Sequence, residues 1–486
     1  MNALKKKQRK QRQIPFYQYI ISLVCVAFLV GGTCYIYFNY QYQKQLAAHP
    51  AVSSSLAKVD ALYNEIVTNY VGEVNENELI DGALKGMAEA LDDPYSTYLN
   101  QPEATELDQS LAGSFEGIGA TLTMKDDLPV VAQAPIEDSP AAKAGLKTED
   151  IILQVDEKKT QGKSLTEVVS GIRGEKGSTV RLKIQRGSET FDLDIQREEI
   201  PIETVKGTID SENPSVGAIT ITTFGSNTYD ELKQTVELLR KKGATAFVID
   251  LRQNPGGLLT QVEQMASMFL ENGQTIVKFE DKSGKTSKVV ASKALDDGFK
   301  VTEPTVVLVD KDSASASEIF AAALKESANK KIIGTTTFGK GTVQTVKELN
   351  DNSEIKLTIL KWLTPNDEWI NEKGVEPSIE ADYPAYAYLS PISRETVLKE
   401  GATSVVVKNA NALLQALGYE VDPTSITYSQ ETVAAVKKFQ DKEQLPITGE
   451  IDGTTASTIE QAVAEKIKEN DQAYKVGVNE LKKEQK

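Results

Sequence analysis

The chain has 486 residues, of which 40% are hydrophobic and 26% charged, a composition typical of folded, globular domains. This length exceeds what one hydrophobic core holds, so we expect several domains. Seven of the 54 basic residues lie within residues 1–44, and no acidic residue precedes Asp60, which leaves 47 basic against all 70 acidic residues in the remainder. So acidic a surface repels nucleic acid and anionic lipid, and it excludes both as partners of the main body.

Histidine and cysteine are nearly absent, which excludes several kinds of active site. The only histidine is His49, and both cysteines, Cys25 and Cys34, lie within an apolar run near the N-terminus. The rest of the chain therefore cannot form a disulfide, a Ser–His–Asp triad, a Cys–His pair or a metal site with His or Cys ligands. We expect neither a metal nor a cofactor.

An apolar run over residues 16–38 follows a cluster of lysines and arginines. As a helix, the run is long enough to cross a hydrocarbon core of about 30 Å, and the cations before it predict a cytoplasmic N-terminus. We therefore predict a basic cytoplasmic tail (1–15), a single transmembrane helix (16–38) and a stalk (39–58), with the remainder outside the cytoplasm. A cleaved signal peptide is the alternative, because small residues follow a short apolar stretch at Gly31-Gly32-Thr33.

The segment after the stalk has a helical pattern that gives way to short strands. Apolar residues recur at helical spacing from Val59 to Leu91, and Asp93-Pro94 ends the pattern. Strand-like runs then alternate with turns from Gly113 to about residue 195. This change predicts a helical N-terminal part over 59–100 and a β-rich domain over 101–195.

From Val216 onward, predicted strands alternate with predicted helices. Repeated β–α units favour an α/β core, in which functional groups lie at the carboxyl ends of the strands. We place this core at residues 196–390 and a small helical domain at 395–468. The last segment, 469–486, is rich in charge, and we expect it to be a fraying tail.

A cluster of serines is the first candidate site of nucleophilic chemistry. Ser313, Ser315 and Ser317 crowd the predicted turn between a buried strand and an Ala-rich helix. The positive end of the helix dipole stabilises an alkoxide or an oxyanion there. The alternative is structural, because Ser315 and Glu318 also fit a capping box, in which the serine caps the helix and the glutamate returns to its amide.

Lys340 is the candidate base for such a serine. It lies between Gly339 and Gly341, directly after an apolar strand, which is an unusual place for a solubilising charge. A lysine serves as a general base when desolvation lowers its pKa from about 10.4 to about 7–8. Phe338 and Val343 are the apolar neighbours expected to exclude water from it.

Lys325 is an alternative candidate for the base, and Gln344 and two glycines are candidates for supporting roles. Lys325 is nearer in sequence, but it lies along the same predicted helix as Ser315, about 15 Å away. Gln344 could orient the amine of the base or be an ordinary loop amide. The paired Gly256 and Gly257 allow backbone N–H groups to approach an oxyanion, or they form a plain turn between a strand and a helix.

Several motifs together resemble the carboxy-terminal processing peptidases over about residues 59–385. They are SASASEIF (313–320), TTFGKGTVQ (336–344), DLRQNPGG (250–257), GALKGMAEALDDPYSTYL (82–99) and LTPNDEWINEKGVEPSIEAD (363–382). The resemblance implies a crotonase-like α/β serine peptidase core with Ser315 as nucleophile, Lys340 as general base and Gln344 as its support. It also implies an oxyanion hole built from the amides of Ala316 and of Gly256 or Gly257. The NDEWINEKG loop departs from the family pattern, but it lies outside the catalytic motifs.

Two further regions resemble binding modules. Residues 114–122, 139–156 and 172–186 resemble a PDZ domain, in which the amides of Gly117, Ile118, Gly119 and Ala120 would bind a terminal carboxylate while the peptide adds a strand to a sheet edge. Related peptidases use this domain as a gate, and Arg173 is our candidate for coupling it to the active site. A surface salt bridge is the alternative role of Arg173.

Residues 405–421 and 429–463 resemble a small helical peptidoglycan-binding module. Its apolar positions have helical spacing and are best explained as core, and Asp452 and Thr455 either contact glycan or cap the last helix. The implied architecture is thus an α/β multidomain chain: a transmembrane helix, a peptidase core with an inserted β-rich PDZ domain, and a small C-terminal helical domain.

The function implied is that of a membrane-anchored, extracytoplasmic serine endopeptidase that cleaves proteins near their C-termini. Its partners would be protein or peptide substrates with accessible C-termini, the cell membrane, peptidoglycan and a second copy of the chain. The alternative is a catalytically silent envelope scaffold built from the same binding modules. A crotonase-type acyl enzyme is a third hypothesis, which no acyl-carrier or nucleotide motif supports.

Overall fold

A computed structural model describes residues 56–125, 127–393 and 396–485. The chain divides into two compact units, one ending at Ala90 and the other beginning at Leu91. The expected transmembrane helix at 16–38, the alternative cleavage site and most of the stalk lie outside the described residues. Among the residues that are described, none of the helices combines the length and apolar character needed to cross a bilayer.

From residue 56 to its end at Ala90, the first unit forms two helices, α1 (Leu56–Asn69) and α2 (Glu76–Glu89). The side chain of Asn75 caps α2 by accepting from the backbone amides of Asn77 and Glu78. The hydroxyl of Tyr63 on α1 donates to a carboxylate oxygen of Glu76 on α2 at 2.6 Å. The helical periodicity of this segment is therefore confirmed.

The second unit begins with β1 (Thr97–Leu99) and α3 (Gln101–Ala112), which lead into a β-rich insertion. The chain enters the insertion through β2 (Ser114–Gly117) and leaves it through β9 (Glu198–Pro201). The elements between them are β3 (Leu122–Lys125), β4 (Leu128–Val131), α4 (Pro140–Lys143), β5 (Ile151–Val155), β6 (Lys158–Lys159), α5 (Leu165–Ile172), β7 (Thr179–Arg186) and β8 (Glu189–Gln196). Strands β3, β4, β5, β7 and β8 form one antiparallel sheet, and β2 pairs with β9 at the base. The buried core of this domain spans residues 118–195, so α3 precedes it.

The α/β core follows. Its elements are β10 (Val205–Ile209), β11 (Val216–Ile221), α6 (Thr228–Lys241), β12 (Ala246–Asp250), α7 (Leu259–Phe269), β13 (Thr275–Asp281), β14 (Thr286–Val290), α8 (Lys293–Asp296), β15 (Thr305–Val309), α9 (Ala316–Glu326), β16 (Lys331–Gly334), β17 (Thr342–Glu348), β18 (Glu354–Leu363) and β19 (Ile379–Glu380). The central sheet has the order β10-β11-β12-β15-β16-β19, and all its pairings are parallel except that of β10 with β11. The predicted strand–helix alternation is confirmed.

The sheet topology brings the candidate site together. Strands β12, β15 and β16 are neighbours, and their carboxyl ends lead into the segments that carry the paired glycines, the serines and Lys340. Helices α6, α7 and α9 bury apolar side chains on one face of this sheet. A second sheet, β1-β18-β13-β14 with β17 on β18, lies beside this core and supplies Trp362 to it.

The C-terminal part contains α10 (Val405–Ala416), α11 (Gln430–Lys442), α12 (Gly453–Glu469) and α13 (Gln472–Glu484). Helices α10, α11 and α12 share a separate hydrophobic cluster that includes Leu414, Val436 and Phe439. The prediction that the apolar positions of this module form its core is therefore confirmed. The Asp452 side chain accepts from the backbone amide of Thr455 at 2.7 Å at the start of α12. Asp452 is therefore a helix cap, as one of the two alternatives expected.

The charged tail expected after residue 468 is wrong as a description of the structure. Residues 472–484 form α13, whose Ala473, Val478 and Leu481 are buried against Val248 and Leu308 of the central sheet. The apolar face is narrow and made partly of small residues. Charged residues are frequent in this segment, so its overall composition does not reveal that one face of the helix is apolar.

Candidate active site

Ser315 stands at the sharp turn between β15 and α9. Its φ of +56° and ψ of −112° lie in a region that non-glycine residues rarely adopt, and holding it there costs about 1–3 kcal/mol. A strained turn between a buried strand and a helix presents the serine hydroxyl outward, at the positive end of the helix. Ser315 therefore combines an unusual backbone conformation with a position at the start of α9.

The three clustered serines have different surroundings. Ser313 Oγ donates to the carbonyl of Leu251 at 2.8 Å, and Ser317 Oγ donates to the carbonyl of Asn254 at 2.9 Å; both serines are fully buried. Ser315 is half-buried and occupies the N-cap position of α9. Of the three, Ser315 alone is accessible to solvent.

Ser315 and Glu318 form the capping-box pair expected as the structural alternative at this turn. The backbone amide of Ser315 donates to Glu318 Oε2 at 2.8 Å, which is the glutamate half of the motif. A capping role is compatible with a chemical one, because Ser315 is half-buried rather than enclosed.

The fully buried carboxylate of Glu318 links the turn at Ser315 to residues 337–341, which carry Lys340 and are called the lysine loop below. Its Oε2 accepts from the amides of both Ser315 and Lys340 at 2.8 Å, so these two backbone nitrogens lie within twice that distance of each other. Its Oε1 accepts from the Thr337 hydroxyl and the Gly339 amide, both at 2.6 Å. Burial raises the pKa of Glu318, and these four donors oppose that rise.

Two indole groups hold the other side of the lysine loop. Trp362 Nε1 donates to the carbonyl of Lys340 at 2.7 Å, and Trp369 Nε1 donates to the carbonyl of Gly341 at 2.9 Å. The amide of Gly341 donates to Asn371 Oδ1 at 3.1 Å. The NDEWINEKG loop, expected outside the catalytic motifs, is therefore in direct contact with the loop of the candidate base.

The amine of Lys340 lies in a partly dry environment. Its Nζ is 4.7 Å from the centroid of the Tyr95 ring, and the residue is half-buried. Burial lowers the pKa of Lys340, the nearby Lys356 lowers it further, and the carboxylates of Glu318 and Asp93 oppose both effects. Tyr95 provides the cover that was expected from Phe338, because the Phe338 side chain is itself 53% exposed.

Two of the predicted catalytic contacts are not formed among the described residues. No hydrogen bond joins Ser315 Oγ to Lys340 Nζ within the described structure. Gln344 Nε2 donates to the hydroxyls of Thr342 and Thr358, both at 3.0 Å, and not to the lysine amine. Gln344 is thus near the lysine loop in sequence but supports the β17–β18 pair in this structure.

Two backbone amides beside Ser315 are free to bind an oxyanion. The amide of Ala316, at the first position of α9, has no acceptor in the described structure, as expected at a helix start. The amide of Gly256 donates to Asn254 Oδ1 at 2.8 Å, whereas that of Gly257 has no acceptor in the same set of residues. A side chain at Gly256 would come within 2.9 Å of both the Ala316 nitrogen and the Ser315 Cβ, so only glycine fits there.

Sequence reasoning missed Asn254, whose hydrogen bonds hold the paired-glycine segment against the turn at Ser315. Its side chain is fully buried, and its Nδ2 donates to the carbonyl of Ile221 at 2.8 Å. Its backbone carbonyl accepts from the Ala314 amide at 3.0 Å and from Ser317 Oγ. An asparagine directly before Pro-Gly-Gly was the available signal, but its partners lie far away in sequence.

The β-rich domain has a pocket where the peptide end was expected. It is lined by Phe115, Gly117, Ile118, Gly119, Ala120, Leu122, Val169, Ile172 and Arg173. The amides of Gly119 and Ala120 have no acceptor among the described residues, whereas the side chain of Ile118 packs into the domain core. The pocket therefore offers an apolar cavity beside free backbone donors.

Arg173 borders this pocket without a salt bridge in the described structure. Its guanidinium lies 5.2 Å from the Phe115 ring centroid, and its Nη1 donates to Gln109 Oε1 on α3 at 3.0 Å. Arg173 thus joins the pocket wall to the helix that leads into the domain. In the same described residues, no group of three or more His, Cys, Asp or Glu side chains could hold a metal ion.

Comparison with known proteins identifies the family. Residues 215–381 match Peptidase family S41, 117–196 match a PDZ domain, 403–459 match a peptidoglycan binding domain, and 35–103 match the activating protease CtpB N-terminal domain. The chain is 42% identical over 467 residues to the carboxy-terminal processing protease CtpA of Bacillus subtilis (strain 168), covering 96% of this chain and 98% of that protein.

Two further proteins are similar to this chain. The carboxy-terminal processing protease CtpB of the same organism is 37% identical over 463 residues, covering 92% of this chain and 95% of that protein. The solved photosystem II D1 C-terminal processing protease is 30% identical, with a TM-score of 0.40, and the match covers 66% of this chain and 88% of that one. The chain therefore belongs to peptidase family S41, as a carboxy-terminal processing serine protease with a PDZ domain and a peptidoglycan-binding domain.

Proposed function

We propose that this chain hydrolyses peptide bonds near protein C-termini with Ser315 as nucleophile and Lys340 as general base. The observation that carries the proposal is the buried carboxylate of Glu318, which binds the amides of both residues. It holds a strained, half-buried serine near a lysine whose pKa is lowered by burial. Imidazole and thiol groups are absent from the described residues, so the base must be a lysine, a carboxylate or a tyrosine.

The chemistry then follows from the groups present. Lys340 Nζ takes the proton of Ser315 Oγ as that oxygen attacks the scissile carbonyl carbon, and the amides of Ala316 and Gly257 stabilise the oxyanion. The protonated lysine passes the proton to the leaving amine as the C–N bond breaks, which leaves an acyl-enzyme on Ser315. Water, deprotonated by Lys340, hydrolyses the ester and restores the serine. We assign the second oxyanion donor to Gly257, because the Gly256 amide is bound to Asn254.

The PDZ domain would select the substrate end. Its pocket is apolar, and its free amides suit a carboxylate, so the preferred tail ends in an aliphatic residue with a free C-terminus. Charge-assisted hydrogen bonds to the carboxylate contribute about 1.5–3 kcal/mol, which corresponds to about 10- to 100-fold in kcat/KM.

This specificity tests the proposed function. The full-length chain, purified in detergent, is expected to cleave a folded reporter with an unstructured tail ending in valine about 10- to 100-fold faster than the same reporter with a C-terminal amide. A tail ending in aspartate serves as the second comparison, and the Ser315→Ala chain is the blank. Equal cleavage of the acid and the amide would remove the PDZ domain from substrate recognition.

We propose further that peptide binding at the PDZ domain aligns the catalytic pair. In the described state Lys340 lies over Tyr95 and does not bond Ser315, so an alignment step is needed before turnover. Arg173 contacts both the pocket wall and α3, which leads back to the core. This position makes it the candidate for the coupling.

Removing the Arg173 side chain should weaken that coupling. Arg173→Ala is expected to reduce the stimulation of turnover by an added tail peptide about fivefold or more, as a typical coupling free energy implies. The control is Arg181→Ala, an arginine of the same domain that is paired with Asp194 and lies away from the pocket. Turnover is measured with a short internal-cleavage substrate, with and without the peptide. Unchanged stimulation in Arg173→Ala would return the residue to a surface role.

We also propose that residues 16–38 anchor the protein in the cell membrane with its catalytic part outside the cytoplasm. The support is the apolar length of that run and the cations before it. Peptidoglycan would then be accessible to the C-terminal domain. A homodimer is proposed on the family resemblance.

A further inference from the structure

The C-terminal helix α13 is part of the peptidase core rather than an appendage of the preceding domain. Its apolar face covers β12, β15 and β16 on the side of the central sheet opposite α9. Polar contacts add to this packing at both ends of the helix. The Tyr474 hydroxyl donates to Asp210 at 2.8 Å, Lys331 pairs with Glu480 at 2.5 Å, and Gln485 donates to Thr245 at 3.0 Å.

One contact at the start of α13 joins it to residues 250–257, the segment that carries the paired glycines. Arg252 donates to both carboxylate oxygens of Asp471, with Nη1 at 2.9 Å and Nη2 at 2.7 Å. It also donates to both oxygens of Asp250, and its guanidinium lies 4.1 Å from the Tyr383 ring centroid. The Arg252 side chain is only 6% exposed, so solvent screens these pairs weakly.

Arg252 belongs to the same short segment as the oxyanion glycines. The next residue, Gln253, donates its amide to Asp310 at 2.9 Å, and Asn254 follows with its buried bonds to Ile221 and Gly256. The segment from Asp250 to Gly257 therefore follows a fixed path from the end of β12 to the side of Ser315. The Arg252 side chain is held by one carboxylate from within this segment and one from Asp471.

We propose that Asp471 is a positioning residue for catalysis, which fixes Arg252 and thereby the amide of Gly257 at the oxyanion hole. The inference rests on the proposed function of Ser315 and Gly257. A direct ion pair then joins the C-terminal part of the chain to the active site, since only Asn470 separates Asp471 from the last helix of the peptidoglycan-binding domain.

The substitution Asp471→Asn separates positioning from folding. Asp471 is also the N-cap of α13, where it accepts from the Tyr474 amide at 2.9 Å, and asparagine caps helices equally well. The variant therefore keeps the cap and the apolar face while it loses the charge that faces Arg252. The matched control is Glu480→Gln, which removes a carboxylate from α13 and breaks its pair with Lys331. Glu480 lies near the other end of α13, away from residues 250–257.

We expect Asp471→Asn to lower kcat about 10- to 100-fold with KM within about twofold, because small displacements of a catalytic group have effects of that size. Glu480→Gln should change both constants less than about twofold. Because the Arg252–Asp471 pair is buried, Asp471→Asn should also lose some stability, so kcat is measured well below the unfolding midpoint of each variant. Asp471→Glu, which keeps the charge, should recover most of the lost kcat. The measurements are steady-state cleavage of the valine-tailed reporter and the rate at which a fluorophosphonate labels Ser315, both with the full-length chain.

The outcomes are distinguishable. An unchanged kcat in Asp471→Asn, an equal loss in Glu480→Gln, or no recovery in Asp471→Glu would each overturn the inference. None of these results concerns the proposed function, which is decided by whether Ser315→Ala abolishes wild-type cleavage and labelling. Slower labelling of Ser315 in Asp471→Asn alone supports the inference without any assumption about the substrate.

Discussion

Replacing either Ser315 with alanine or Lys340 with methionine is expected to lower kcat at least about 10⁴-fold. The serine supplies the bond-forming oxygen and the lysine its proton acceptor, and groups that act as a unit give losses of about 10⁴–10⁶ when either one is removed. The double variant should therefore be no slower than the single ones. Steady-state cleavage of the valine-tailed reporter by the full-length variants measures the effect.

Lys325→Met is the matched control for this prediction. Lys325 lies on the same helix as Ser315, but its Nζ donates to the carbonyl of Glu376 at 2.8 Å at an exposed position. Its loss should leave kcat within about twofold of wild type. Equal cleavage by wild type and Ser315→Ala would remove Ser315 from the mechanism, whereas no cleavage by either would favour a chain that acts as a scaffold.

The pH profile gives a second measurement of the same assignment. Only the neutral amine accepts a proton, so kcat/KM should rise with pH and level off above the pKa of Lys340. Because burial lowers that pKa, the rise should occur below the ordinary lysine value of about 10.4. Lys356 also lowers it, so Lys356→Met should shift the rise to higher pH without abolishing activity. A flat profile, or an acid shift in Lys356→Met, would contradict Lys340 as the base.

The local part of this structure is predictable from the sequence because it depends on short-range patterns. Apolar runs followed by turn residues give β12, β15 and β16, and the helical periodicity between them gives α7 and α9. Parallel strands bring the segments after them to one edge of the sheet. The motif positions of Ser315, Lys340 and the paired glycines therefore fall together once the strands are correctly assigned.

The long-range part is not predictable in this way. Ser315-x-x-Glu318 reads as a helix cap in any sequence, and nothing local shows that the Glu318 carboxylate also binds Gly339 and Lys340. The bond from Arg252 to Asp471 joins residues that are 219 positions apart. In α13, the helical repeat of Ala473, Gly477 and Leu481 was the available signal, but small side chains hardly register as an apolar face until the opposing sheet is known.

Glu318→Gln is expected to cause the second large loss, because every partner of this carboxylate is a donor. The Thr337 hydroxyl accepts from the Val375 amide at 2.7 Å, so its own hydrogen is directed to Glu318, and the other three partners are backbone N–H groups. A glutamine amide nitrogen cannot accept from any of them. Whichever way the amide is turned, at least one buried N–H faces another donor.

The better orientation keeps the glutamine oxygen on Ser315 and Lys340 and turns its nitrogen toward Thr337 and Gly339. The Thr337 hydroxyl can rotate, but the Gly339 amide is left without an acceptor beside Lys340, at a cost of about 1–3 kcal/mol. We expect a loss of stability of that size in denaturant unfolding and a fall in kcat of about 100-fold, since the lysine loop must shift.

Glu326→Gln is the control, since Glu326 lies on the same helix and, among the described residues, accepts only the exposed amide of Asn366 at 2.8 Å. It should change stability by less than about 0.5 kcal/mol and kcat by less than about twofold. If Glu318→Gln lost stability but kept wild-type kcat, the carboxylate would be a structural cap alone, and the alignment of Ser315 with Lys340 would depend on other contacts. A loss of kcat that persists well below the unfolding transition instead places Glu318 between the nucleophile and its base as the group that sets their separation.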